Sequence, residues 1–231
     1  MPLLRLSIPA LAVGCASEMR QLEHALRGPG FFACDQAHGF EASSKILREA
    51  YEASRRLHAS EAALGEESQW IQRKPRDAPQ RWWFTLAEGR AFPQEQEHGG
   101  VAEAIAALDA SFAAVAFVLA NCIIKAMALP RQKTDPHAML RGLRYRDATS
   151  AGELGLNAHV DFGDFTLCHS DNDGLEVRES RHGVTRWRLL PGGQLYFLAG
   201  SQLETKCRGV VRAVTHRVIL PTADRFSFCR L

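Results

Sequence analysis

The stretch Gly155-Leu156-Asn157-Ala158-His159-Val160-Asp161-Phe162-Gly163, continuing into Phe165-Thr166-Leu167, decides how this chain is read. Apolar and polar residues alternate through it, and on a strand residues i and i+2 point to one face. His159 and Asp161 can therefore reach a single ion together. A second strand-like run, Val210 to Leu220, alternates Val214, His216 and Val218. Two imidazoles and one carboxylate suit a borderline metal such as Fe(II) when three coordination positions must stay open. Each histidine taken alone reads equally well as a solvated or hydrogen-bonded side chain.

Pro221-Thr222-Ala223-Asp224 then predicts a turn, after which Arg225 and Ser227 share one face of a returning strand. Arg-x-Ser offers a fixed fork of donors plus a hydroxyl, a pair suited to a carboxylate-bearing co-substrate. The structural alternative for Arg225 is a salt bridge to Asp224 or Glu204.

From about Leu140 to Phe228 the chain resembles the isopenicillin N synthase-like Fe(II)/2-oxoglutarate-dependent dioxygenases. The residues that carry the resemblance are Leu143-Arg144-Tyr145, Gly155 through Phe162, Thr166-Leu167, Asp173-Gly174-Leu175-Glu176-Val177, Trp187, Pro191-Gly192-Gly193, Gly200, Thr215-His216-Arg217-Val218 and Arg225-Phe226-Ser227. Pro2 to Ser7 is similar to the family's opening strand, and Gly30-Phe31-Phe32 followed by His38-Gly39 is a looser match.

The resemblance implies Fe(II) held by His159, Asp161 and His216. It also implies 2-oxoglutarate with its distal carboxylate on Arg225 and Ser227, and O2 as the oxidant. Tyr145 falls where relatives contact the co-substrate or substrate carboxylate, although the usual Asn-Tyr-Tyr wording is absent and Arg144 and Arg146 flank it. An ordinary barrel-lining aromatic is the other reading of Tyr145. The implied reaction oxidises a C–H bond of a small molecule by hydroxylation, desaturation or cyclisation, with release of succinate and CO2. Two alternatives stay open: an iron oxidase that needs no 2-oxoglutarate, and a non-catalytic ligand-binding or sensing protein on the same fold.

The fold expected is α+β and mainly β. It has a double-stranded β-helix, or jelly roll, at residues 138–231, with an N-terminal helical and mixed region, 1–137, packed on it as part of one structural domain. Ser17 to Leu26 and Ser43 to Leu64 have helical spacing, with Ser17 and Ser43 or Ser44 as N-caps. Val101 to Leu129 predicts a long helix closed by Pro130. Residues 66–98, with Trp70, Pro75, Pro79, Trp82, Trp83 and Pro93, predict an irregular connection over the barrel mouth. Trp82 and Trp83 read either as a cap on the substrate pocket or as buried packing, and burial is expected. His169 is expected at the surface or just behind the metal ligands. Arg208, Arg212 and Arg217 read either as contacts for an acidic substrate or as a solvated strand face.

A chain of 231 residues can bury a large single core. A net charge of +2 with no dense basic run gives no footprint for nucleic acid. Six scattered cysteines without a Cys-x-x-Cys pair predict reduced thiols and a cytoplasmic protein. A leader of basic residues and continuous apolar core is not seen at the N-terminus. Asn121 and Lys125 interrupt the apolar stretch Phe112 to Leu129, so no membrane association is expected. A monomer or homodimer acting on a small-molecule substrate is the expected form. Leu231 follows Ser227 closely where relatives usually continue. This predicts either a compact member with a small, open pocket, or a lid supplied by residues 66–98 or by a second subunit.

Overall fold

A computed structural model describes residues 3–35, 42–64, 72–73, 81–87, 100–130, 138–146, 152–181, 183–220 and 222–231. In chain order the elements are β1 (Arg5–Ser7), α1 (Ile8–Ala12), α2 (Ala16–Arg27), β2 (Phe31–Asp35), α3 (Ala42–Leu64), β3 (Gln72–Arg73), β4 (Arg81–Ala87) and α4 (Val101–Ala126). There follow β5 (Met139–Tyr145), β6 (Leu154–His159), β7 (Phe165–Ser170), β8 (Leu175–Arg181), β9 (Val184–Leu190), β10 (Leu195–Ala199), α5 (Ser201–Lys206), β11 (His216–Ile219) and β12 (Arg225–Arg230).

Two sheets form the jelly roll. The larger runs β1-β2-β10-β7-β12-β5-β4-β3 and the smaller β6-β11-β8-β9. All described pairings are antiparallel except β1 with β2. Period-2 alternation sorts each central strand of the large sheet. On β12, Arg225, Ser227 and Cys229 face the cavity between the sheets. Phe228 turns the other way, where its ring lies 5.0 Å from that of Tyr51 on α3.

The helical layer packs on that outer face, as expected. Helix α4 buries Val101, Ile105, Leu108, Phe112, Val115, Leu119, Cys122 and Ile123, a stripe at spacings of three and four. Each such side chain contributes about 1.5–3 kcal/mol when fully buried. Arg230 of β12 pairs with Asp109 on the same helix and ties sheet to helix. By length and composition alone α4 is long and apolar enough to cross a membrane. Here its stripe packs toward α1, α2 and α3. The helix ends at Ala126 rather than Leu129, because Ala128 adopts a left-handed backbone with φ 51°.

Several expectations are corrected. Residues 66–98 are not wholly irregular: β4 pairs with β5 along its full length, from Arg81 opposite Tyr145 to Ala87 opposite Met139. An aromatic run with high strand propensity thus extends the large sheet despite its flanking prolines. The N-cap of α2 is Cys15, not Ser17. The Cys15 carbonyl accepts from Met19 N at 3.0 Å, which places Ser17 inside the first turn. Likewise α3 begins at Ala42, so Ser43 and Ser44 lie within it. Ser7 ends the opening strand and caps the short helix α1 by accepting from Ala10 N at 3.3 Å. The His38-Gly39 match and the side chains of Trp82 and Trp83 lie outside the described residues.

Candidate metal and co-substrate site

His159 ends β6 and His216 begins β11, and the two are direct cross-strand partners. Their rings lie 4.2 Å apart at the centroids. In each, Nδ1 is engaged by a backbone carbonyl two residues earlier: Asn157 at 2.9 Å from His159, and Val214 at 3.1 Å from His216. When Nδ1–H donates to that carbonyl, the tautomer is fixed and the Nε2 lone pair is left for a metal. Both Nε2 atoms face Asp161, at 3.5 Å from Oδ1 for His159 and 3.6 Å from Oδ2 for His216.

The three ligand atoms all lie within 4.8 Å of one another. Bonds of about 2.1 Å put any two donors on one ion at most about 4.2 Å apart, and both nitrogen–oxygen separations already meet that limit. Thr166 on β7 donates to Asp161 Oδ2 and orients the carboxylate. Burial pushes the Asp161 pKa up, but hydrogen bonding to His159, the charge of His216 and the Thr166 donor outweigh it, and the net direction is down. His216, only 6% exposed, is pushed down chiefly by burial, with Asp161 opposing. A neutral imidazole and an ionised carboxylate are the forms that bind a metal.

A cavity of about 390 Å³ opens from these ligands into the space between the sheets. Arg225, only 1% exposed, reaches into it from β12. Its Nε donates to the Asn172 carbonyl at 3.2 Å, while its buried Nη1 has no partner among the described residues. Neither carboxylate proposed for it from sequence is used. Asp224 takes the Arg144 Nε at 2.9 Å, and Glu204 lies 3.9 Å from Arg212. Gly174 makes the room: at φ 132° it passes so close that a Cβ there would stand 3.3 Å from Arg225 Cδ and 2.7 Å from the Ile219 carbonyl. Ser227 is buried on the same face.

Tyr145 lines the cavity opposite Arg225, its ring so close to Gly155 of the other sheet that a Cβ there would clash at 2.7 Å. All six residues named from sequence thus meet at one cavity. His169 does not join them. It is buried beneath α3, with Nδ1 2.7 Å from the Tyr51 hydroxyl, because odd-numbered positions of β7 face outward. Arg217 pairs with Glu176 at 2.6 Å and stacks 4.1 Å over Trp187, so it is held by its own sheet. Sequence reading missed Arg141, Thr166, Cys168 and Cys229, all of which line the cavity. Arg141 was signalled by alternation, two steps of two residues before Tyr145.

No protein-family model matches the chain. A rice protein, 2-oxoglutarate-dependent dioxygenase 21, is 31% identical over 36% of this chain and 26% of its own length. The 2-oxoglutarate-dependent dioxygenase citB of Monascus ruber is 32% identical over 42% of this chain and 31% of its own length. The match thus spans less than a third of either relative.

Solved structures align over nearly the whole chain. A full-length Neurospora crassa protein, in complex with alpha-KG and thymine, covers 99% of this chain and 85% of its own with a TM-score of 0.77 at 15% identity. The rice dioxygenase for auxin oxidation covers 99% and 82%, with a TM-score of 0.79 at 21% identity. The fold is that of the 2-oxoglutarate-dependent dioxygenases. JOX2, solved with 2OG, Fe and JA, shares the dioxygenase fold over 99% of this chain with a TM-score of 0.71 at 18% identity.

Proposed function

We propose that this protein is an Fe(II)/2-oxoglutarate-dependent oxygenase acting on a small molecule. The observation that carries the reading is a pair of sites sharing one cavity. One is a His-Asp-His cluster with its Nε2 atoms turned inward; the other is a buried guanidinium with an unused donor beside a buried serine. A burial of that kind is costly unless an anion completes it.

His159, Asp161 and His216 would hold Fe(II), and Arg225 with Ser227 would receive the distal carboxylate of 2-oxoglutarate. When bound, iron and 2-oxoglutarate supply an oxidation by O2 in which R–H becomes R–OH and 2-oxoglutarate becomes succinate and CO2. The chain's own residues bind and orient. Thr166 fixes the carboxylate plane of Asp161, and the two backbone carbonyls fix both imidazoles. Leu143, Leu156, Leu175, Leu198 and Val218 line the rest and exclude water from the reacting C–H bond. The unused Arg225 donor supports co-substrate dependence over an oxidase that takes all electrons from its substrate. The six unpaired cysteines support a cytoplasmic location as part of the same proposal.

Anaerobic titration with Fe(II) and then 2-oxoglutarate tests the reading. The weak visible band of the chelate and succinate release in air are expected. Absence of the band with iron bound, or turnover of a substrate without any 2-oxo acid, would overturn it.

A further inference from the structure

The cavity holds a second guanidinium that neither the metal nor the co-substrate uses. Arg141 projects from β5 into the same space, and its buried Nε has no hydrogen-bond partner among the described residues. Among the described residues its Nη2 meets only the Met139 sulfur, at 3.8 Å, a weak acceptor. The side chains beside it on that face, Met139, Leu143, Leu231 and the cross-strand Thr85 and Cys229, carry no carboxylate.

Position separates the two arginines. Arg141 lies opposite Cys229, four residues along β12 from Arg225. At about 3.3 Å per residue the two anchor points are roughly 13 Å apart along the strands. The carbon chain of 2-oxoglutarate, four bonds of about 1.5 Å, reaches at most about 6 Å. The side chains also diverge, Arg225 stacking on Tyr145 at its own level and Arg141 turning back toward Met139, so one co-substrate does not serve both.

Charge leads to the same place. Asp161 is the one side-chain carboxylate lining the cavity among the described residues, and it belongs to the metal cluster. Arginine stays charged at any working pH and forms a planar fork matched to carboxylate.

We propose that Arg141 is the anchor for a carboxylate on the primary substrate. The substrate class is a small monocarboxylic acid whose apolar body lies against Leu143, Leu156, Leu198 and Leu231, with its oxidised C–H bond set by the distance from Arg141 to the metal. This rests on the oxygenase reading and specifies its substrate.

The test uses the full chain, loaded anaerobically with Fe(II) and 2-oxoglutarate. The probes are a series of straight-chain and phenyl-terminated alkanoates, each beside its neutral amide, and affinity is read by microcalorimetry. At least one acid is expected to bind saturably and about 10- to 100-fold more tightly than its amide, the effect of one charge-assisted pair. Arg141→Gln is expected to remove that preference while leaving 2-oxoglutarate affinity unchanged. Arg141→Lys, which keeps the charge and loses the fork, is expected to keep part of it. Several results would overturn the proposal: no saturable acid, equal binding of acid and amide, an acid preference that survives Arg141→Gln, or a loss of 2-oxoglutarate affinity as large as the loss for the acid. The chelate band recorded before any acid is added is lost if the oxygenase reading is wrong. Lost discrimination with the band intact counts against Arg141 alone.

Discussion

Tyr145 and Arg225 stand directly opposite each other across β5 and β12, with the Arg225 guanidinium carbon 5.1 Å from the centre of the Tyr145 ring. The aromatic face holds the fork in place from one side and the Asn172 carbonyl holds it from another. The remaining donor is thereby aimed rather than free to swing, which is what anion recognition in a partly dry site requires.

Arg225→Gln is expected to leave Fe(II) affinity nearly intact and to raise the 2-oxoglutarate requirement by roughly 10- to 1000-fold, the loss of a buried charge-assisted pair. Ser227→Ala removes one neutral donor and should cost less, about 0.5–1.5 kcal/mol. Succinate release against 2-oxoglutarate concentration measures both. Equal effects of the two changes would contradict the assignment.

Replacing His159, Asp161 or His216 by Ala leaves two ligand atoms and is expected to weaken Fe(II) binding by at least about 100-fold. Equilibrium dialysis reads this without any substrate. A variant that keeps full iron occupancy identifies a residue that is not a ligand.

Thr166→Val keeps the shape of the side chain and removes its donor to Asp161. Iron affinity is expected to drop about 10- to 100-fold, and Thr166→Ser to restore most of it. If Val and Ser variants bind iron alike, the hydroxyl does not orient the carboxylate.

Burial pushes His169 down to about 4 and His58 to about 3, from an ordinary value of 6.5. Both are neutral in the folded chain at a pH where the unfolded chain takes up protons. Their contribution is therefore complete above about pH 6.5 and is lost as pH falls toward the folded values, by up to about 1.4 kcal/mol per pH unit for each. Urea midpoints measured from pH 7 to pH 4 should fall accordingly, and His169→Gln should show a shallower fall. A slope unchanged by that substitution would show that His169 is not responsible.

The site was largely legible in sequence because its parts are local. His159 with Asp161, and Arg225 with Ser227, are each separated by one residue on a strand, so a period of two announces their shared direction. What stayed hidden depends on register between distant strands. The pairing of Arg141 with Cys229, or of Cys168 with Cys229 at 3.3 Å between sulfurs, has no local signature. The strand β4 was obscured by prolines on either side, and the burial of His169 by its nearness in sequence to the ligands. Composition described the helices well and their caps poorly, since a cap is set by one backbone angle.

The alternation of β12 has a consequence for how this protein can change. Arg225, Ser227 and Cys229 face inward, while Phe228 and Arg230 meet α3 and α4 on the other side. Adding or deleting one residue within the strand would turn the guanidinium toward the helices and a phenyl ring into the cavity. Length variation can therefore be absorbed only where β12 begins, in the turn after Leu220, or beyond Arg230. Inside the strand, tolerated variation is confined to exchanges of one side chain for another. New specificities on this scaffold should arise by substitution at inward positions such as 141, 143 and 229, and lineages should differ there in residue type while agreeing in spacing.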